Sequence, residues 1–195
     1  MDELARLVRE VLACRLCAPH LPHGPRPVVQ LGSHSRILLV SQAPGRCAHR
    51  SGIPFDDRSG DTLRAWLGLD RATFYDPAVV AILPIGFCYP GHGPRGDLLP
   101  RPECAPTWHA RLLSLMPELR LTLLIGRLAQ ARYLPGARPA TLTEAVRRHR
   151  DYRPGRFPLP HPSPRNGPWL LANPWFEREV LPALRAEVRR ALVCN

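Results

Sequence analysis

Two stretches of the chain carry side chains that could do chemistry. In the first, a tight loop, Ser41-Gln42-Ala43-Pro44-Gly45, is followed by Gly52-Ile53-Pro54-Phe55-Asp56-Asp57-Arg58-Ser59-Gly60, which adds an aromatic ring and two carboxylates. The second, His161-Pro162-Ser163-Pro164-Arg165-Asn166, offers an imidazole, a hydroxyl, an amide and a guanidinium within six residues of a proline-braced loop. The cysteines form a third group. Cys14 and Cys17 enclose two residues, and Cys88 and Cys104 enclose fifteen. Four thiolates in two such groups can hold either a [4Fe–4S] cluster or a structural zinc. Cys47 and Cys194 are left over and read as ordinary thiols.

These groups need a scaffold, and hydrophobic periodicity supplies one. Leu4, Leu7, Val8, Val11 and Leu12 recur at helical spacing, and a Pro/Gly/His-rich loop follows. Arg36-Ile37-Leu38-Leu39-Val40-Ser41-Gln42 is a short apolar run that enters the Ala-Pro-Gly loop, as a buried strand would. Residues 78–83 and 121–125 have the same character, and Phe157-Pro158-Leu159 reads as an edge strand. Helical stretches near residues 62–67, 107–115 and 127–134 alternate with these runs. That alternation predicts a parallel sheet covered on both faces, with ligands bound at the carboxyl ends of its strands. A helix beginning near Asp61 follows the carboxylates, and a last helix is expected with Asn173 as its cap and Pro174 at its first position. The Pro-rich segments 86–106 and 152–168 read as long irregular loops where function sits.

Composition narrows the partners. In 195 residues there are 27 basic side chains against 16 acidic ones, a formal net charge of +11. Every basic residue is Arg and none is Lys, which excludes lysine Schiff-base chemistry and a Walker-A lysine. Guanidinium groups bind phosphate bidentately and stack on planar rings, so nucleic acid is the first partner to test. The length suits a single domain over residues 1–195. The N-terminus has no basic or apolar leader and no run is long enough to span a bilayer, so a cytoplasmic protein with reduced thiols is expected.

In the order and spacing of these motifs the sequence resembles the uracil-DNA glycosylase superfamily, closest to its fourth and fifth, thermophile-type families, over roughly residues 14–166. The fourth family's Gly-Glu-Ala-Pro-Gly and Gly-x-Pro-Phe are similar to Ser41-Gln42-Ala43-Pro44-Gly45 and Gly52-Ile53-Pro54-Phe55. The fifth family's Gly-Asp-x-Ser-Gly, with its catalytic Asp, is similar to Asp57-Arg58-Ser59-Gly60, and the superfamily's His-Pro-Ser is matched by His161-Pro162-Ser163, with Asn166 in the fifth family's extension. The resemblance implies a three-layer α/β/α sandwich around a short, mainly parallel sheet. It also implies a monomeric enzyme acting on uracil-containing DNA, single- or double-stranded. Cys14, Cys17, Cys88 and Cys104 match the families' iron–sulfur ligands, which favours a [4Fe–4S] cluster over the zinc alternative.

On that reading Asp57 and His161 are the catalytic pair, with Asp56 as the competing carboxylate. Phe55 is the platform for an everted base, the main chain near Gln42 and Ala43 supplies donors, and Ser163, Arg165 and Asn166 bind the substrate around it. Two departures matter. The fourth family's motif Glu is Gln42 here, which leaves the carboxylate role to Asp57. The Asn that reads the uracil edge, four residues before the third Cys, is Pro84 here, and its loss predicts a broader range extending to hypoxanthine and xanthine. Without lysine, the imine route to strand cleavage is closed, so a monofunctional enzyme leaving an abasic site is expected. Two further readings stand beside this one. A non-catalytic nucleic-acid-binding protein with a structural four-Cys site would also account for the charge and the cysteines. A metal phosphohydrolase using His49, Asp56, Asp57 and His161 lacks regular ligand spacing.

Overall fold

The computed structural model describes residues 3–94, 96–134, 136 and 141–193. The leftover thiol of Cys194 lies outside the described residues. In chain order the elements are α1 (Glu3–Leu12), β1 (Ile37–Val40), α2 (Arg46–Ser51), α3 (Arg58–Leu67), α4 (Arg71–Phe74), β2 (Val80–Ile82), β3 (His92–Gly93) and β4 (Gly96–Asp97). They continue with α5 (Cys104–Leu113), β5 (Leu121–Ile125), α6 (Arg127–Tyr133), α7 (Leu142–Arg147), β6 (Arg156–Leu159), α8 (Gly167–Ala172) and α9 (Leu181–Leu192).

β1, β2, β5 and β6 form one sheet in the order β2-β1-β5-β6, and every pairing is parallel. Ile37 lies opposite both Val80 and Leu121, and Leu123 lies opposite Phe157. Side chains alternate faces along a strand, so two cores follow from one apolar run. Ile37 and Leu39 join Leu123, Ile125, Phe157 and Leu159 against the helices α3 and α9. Leu38 and Val40 join Ala81, Leu83 and Leu124 against α1, α5 and α6. Helices therefore cover both faces, as the uninterrupted apolar character of the strands predicts. Each fully buried Leu, Ile or Phe in these layers contributes about 1.5–3 kcal/mol. Pro158 is tolerated in β6 because that strand pairs only with β5 and needs no second ladder.

Chain order turns back at the centre of this sheet: β2 lies on one side of β1 and β5 on the other. Open α/β sheets bind ligands beyond the carboxyl ends of their strands at such a reversal. The two segments read as irregular are more ordered than composition suggests. Segment 86–106 holds the β3–β4 hairpin, with His92 opposite Asp97, and segment 152–168 holds β6 and a 3-10 turn at Pro164–Asn166. Asn173 does not cap the last helix. Its side-chain oxygen accepts from the Trp175 indole and its amide donates to the Trp169 carbonyl, while the chain enters α9 through a π-helical turn at Phe176–Val180. The Trp175 indole thus occupies the side-chain oxygen that a cap would turn to a helix N–H, and Trp175 packs edge to face on Trp169 at 5.8 Å.

Among the described residues no helix is long and apolar enough to cross a membrane.

Candidate active site

The loop leaving β1 is held open by neighbours that continue the parallel ladder. Ile85 N–H donates to the Ser41 carbonyl and Gly86 N–H to that of Gln42, so the 41–45 loop and the 84–86 segment form adjoining walls. Behind the second wall stands a buried imidazole. His109 is 2% exposed and stacks between Phe87 and Tyr133 at 5.6 and 5.9 Å. Its Nε2–H donates to the Pro84 carbonyl at 3.1 Å and its Nδ1 accepts from the Tyr133 hydroxyl. Burial pushes this group down to about 4, so it is a neutral prop.

Asp57 is the N-cap of α3, which begins at Arg58, three residues earlier than the start expected near Asp61. Its Oδ1 accepts from Gly60 N–H at 3.0 Å. Capping of this kind starts a helix on a polar, glycine-containing stretch that propensity alone would leave open. The cap uses one carboxylate oxygen, Oδ1, and the residue lines the cleft. Asp56, next in sequence, pairs instead with Arg71 at 3.4 Å and does not line the cleft.

Phe55 is held in an unusual conformation. Its φ is +55°, and it is the one non-glycine residue with positive φ among the described residues. For an aromatic side chain this costs about 1–2 kcal/mol. The surroundings enforce it. The Phe55 carbonyl packs so closely on Gly60 that a Cβ there would lie 1.8 Å from it, and the Tyr75 hydroxyl donates to the same carbonyl at 3.0 Å.

The His161 loop is built around the imidazole. Ser163 N–H donates to Nδ1 at 3.1 Å, and the Asn166 side-chain amide donates to the His161 carbonyl at 3.0 Å. An Nδ1 that accepts leaves the proton on Nε2, the ring nitrogen free for a ligand. Burial lowers the pKa of this histidine, and Arg165 acts in the same direction. The carboxylates of Asp57 and Asp97 oppose the shift without cancelling it. His161 is thus a neutral donor.

These pieces meet in one cleft of about 410 Å³ at the carboxyl ends of β1, β2 and β6. Gln42, Ala43, Phe55, Asp57, His161, Ser163, Arg165 and Asn166 all line it. Gln42 turns its amide to the Leu98 carbonyl at 3.2 Å and so ties the β3–β4 hairpin to the loop. Asp97, at the end of that hairpin, also lines the cleft and pairs with His92 at 3.1 Å. Sequence reasoning missed it, although the glycines and proline of His92-Gly93-Pro94-Arg95-Gly96-Asp97 are a hairpin signal. Across the mouth the Arg165 guanidinium packs on the hairpin, since a Cβ at Gly96 would lie 2.7 Å from its Nη1.

Cys14, Cys17, Cys88 and Cys104 line a second cavity, walled by Leu21, Pro25, Pro27 and Phe87. Phe87 N–H donates to the Cys104 sulfur at 3.4 Å. Burial pushes the Cys88 thiol up to about 11 and that of Cys104 to about 12, and the neighbouring thiols add to both shifts. Four cysteines lining one largely apolar cavity, with a backbone N–H already directed at one sulfur and the Cys17 thiol donating to Glu103 Oε2 at 3.9 Å, are a donor set of the type that takes a thiolate-bound metal or cluster, whose charge would offset the desolvation. Among the described residues no three His, Cys, Asp or Glu side chains form a ready-made ligand group around a single point.

The family comparison bears on the whole arrangement. The model of the uracil DNA glycosylase superfamily matches residues 29–185, which takes in β1 with its loop, the Asp57 cap, the hairpin and the His161 loop. DNA is the polymer such enzymes act on and base excision is their class of reaction. With four parallel strands, helices on both faces and the matched motifs converging on one cleft, the chain belongs to the uracil DNA glycosylase superfamily.

Proposed function

We propose that the protein is a monofunctional glycosylase that hydrolyses the N-glycosidic bond of uracil in DNA and leaves an abasic site. The observation that carries this reading is that one cleft gathers a carboxylate, a neutral imidazole with a free Nε2–H and an aromatic ring. A base in a duplex has its glycosidic bond inside the stack, so the nucleotide must be everted before reaction. Phe55 offers the everted base a flat surface. As the C1′–N bond breaks, positive charge develops on the sugar and negative charge on the base. Asp57 Oδ2 faces the first and orients the attacking water, and His161 Nε2–H donates to a carbonyl oxygen bearing the second. Water adds its oxygen to C1′, its proton leaves to the carboxylate or to solvent, and the base departs with the bonding electrons.

Ser163, Arg165 and Asn166 have a preparatory part. Asn166 and the Ser163 backbone set the imidazole, and Arg165, which lines the cleft, meets a flanking phosphate. Pro84 presents no bidentate amide to the base, which supports a range wider than uracil, including hypoxanthine and xanthine.

The test is incubation of the purified protein with single- and double-stranded oligonucleotides carrying one uracil, hypoxanthine or xanthine, followed by alkali. Strand breaks at the uracil that require the alkali are expected. Intact strands with every base, or breaks without alkali, would contradict the reading.

The four-Cys cavity supports a [4Fe–4S] cluster or zinc, held by Cys14, Cys17, Cys88 and Cys104. Bound there, such a group would tie α1, the 84–88 segment and the start of α5 together, a structural role away from the reacting atoms. Cys88→Ser is expected to lose the bound metal and to lower Tm by about 10 °C, the equivalent of about 4 kcal/mol for a chain of this size. Metal analysis decides between iron with sulfide and zinc. An unchanged metal content in the variant would remove Cys88 from the ligand set.

A further inference from the structure

The loop after Pro54 places an aromatic residue where glycine or asparagine is usual, and a chain of side chains outside the cleft keeps it there. The Tyr75 hydroxyl donates to the Phe55 carbonyl at 3.0 Å and accepts from Arg64 Nη1 at 3.2 Å. Arg64 is 8% exposed, an uncommon burial for a guanidinium, and its Nη2 donates to Asp61 Oδ1 at 2.5 Å. It also lies over the Phe74 and Tyr75 rings at 5.4 and 5.6 Å. The Tyr75 ring is fixed from two other directions, edge to face with Phe74 at 5.0 Å and beneath Arg71 at 4.9 Å. Phe74 in turn meets the edge of the Phe55 ring at 6.4 Å. Gly60 leaves the gap into which the Phe55 carbonyl fits. None of Tyr75, Arg64 or Asp61 lines the cleft.

The Tyr75 hydroxyl thus links a largely buried arginine to the carbonyl of the one non-glycine residue held at positive φ among the described residues. We propose that Tyr75, backed by Arg64, is a positioning residue that holds Phe55 in its left-handed conformation and so keeps the ring in place as the platform for the everted base. The assignment rests on the glycosylase reading above. With the hydroxyl removed, the backbone at Phe55 is released toward an ordinary conformation and the ring leaves its place against the base.

A double-mutant cycle on base excision tests this. Tyr75→Phe keeps the ring and its contacts with Phe74 and the arginines, and it loses only the two hydrogen bonds. Single-turnover kcat/KM on a uracil-containing duplex is compared for the unmodified chain, Tyr75→Phe, Phe55→Ala and the double variant. Rates are referred to the folded fraction read by circular dichroism, so a destabilised variant still reports. Tyr75→Phe is expected to lower kcat/KM about tenfold in the unmodified background and by less than twofold when Phe55 is already Ala. A loss that multiplies through in the Phe55→Ala background, or no loss in the unmodified one, overturns the positioning role while leaving the glycosylase reading intact. Absence of excision by the unmodified chain overturns the glycosylase reading and the role with it.

Discussion

The Asp57→Asn protein is expected to bind uracil-containing DNA within about twofold of the unmodified chain and to excise the base about 10³-fold more slowly. Asn is the informative replacement because of where Asp57 stands. Its Oδ1 caps α3 through Gly60 N–H, and an Asn carbonyl caps equally well, so the helix start survives the change. Ala would remove the cap as well as the charge and would cost about 1 kcal/mol of stability, mixing two effects. The amide cannot offer a negative oxygen to a sugar that is becoming cationic, nor take a proton from water. Chemistry should therefore suffer far more than binding. Asp56→Asn is the matched control. That carboxylate is turned to Arg71 and lies off the cleft, so its loss should leave kcat within about threefold. Single-turnover rates and a filter-binding titration on the same oligonucleotide measure both quantities. Excision that persists in Asp57→Asn would remove this residue from the mechanism. DNA binding without excision by any form of the chain would leave the non-catalytic nucleic-acid-binding reading.

Much of this site was legible because its parts are local. The Ala-Pro-Gly loop and the His-Pro-Ser loop each follow a strand, the Pro-Phe-Asp-Asp stretch leads into α3, and parallel strands buried on both faces announce themselves as short apolar runs such as Ile37-Leu38-Leu39-Val40. Once the sheet is parallel, the carboxyl ends of β1, β2 and β6 must lie on one edge, and the loops there converge. Cysteine spacing was legible for the same reason, since Cys14 and Cys17 follow closely on the end of α1 and Cys104 opens α5.

What stayed hidden depends on tertiary context. Phe55 could be singled out as a ring, yet nothing in Gly-Ile-Pro-Phe says that it adopts positive φ, because the cause is a carbonyl gripped by Gly60 and by Tyr75, twenty residues away. Asp97 reaches the cleft on a hairpin that Gln42 anchors at Leu98 and Arg165 packs against at Gly96. The short helices α4, α7 and α8 are too brief for periodicity to register, with α4 only four residues long. His109 carries no motif at all, and its place behind Pro84 follows from α5 packing against the strand ends.

His161 should show its role most clearly through pH. The Ser163 N–H bond to Nδ1 and the burial of the ring both favour the neutral form, so the folded pKa lies below the usual 6.5. A neutral donor is the working form if its task is to hold a carbonyl oxygen that is gaining negative charge. Excision rates should then stay level as pH falls from 7.5 through 6.5 and decline only below that, where the imidazole begins to protonate and the Ser163 bond is lost. The opposite sign, a rate that rises as pH drops through 6.5, would make the imidazolium the active species and contradict the assignment. Substitution separates this limb from any carboxylate. His161→Ala removes the donor and should lower kcat about 10²–10³-fold, the usual cost of one donor to a developing oxyanion. His161→Gln restores an N–H near the position of Nε2, so it should recover about tenfold of that loss and show no His-dependent limb, because an amide does not titrate in this range. The same logic holds for the fold. A histidine whose pKa is depressed by folding contributes stability that is full above the unfolded value of about 6.5 and is lost as pH falls toward the folded one. The stability profile of His161→Gln should accordingly lose part of the acid-side slope seen in the unmodified chain, measured by urea unfolding across the same pH range. Identical slopes would mean that the imidazole is not held neutral, and the donor role would fall with it.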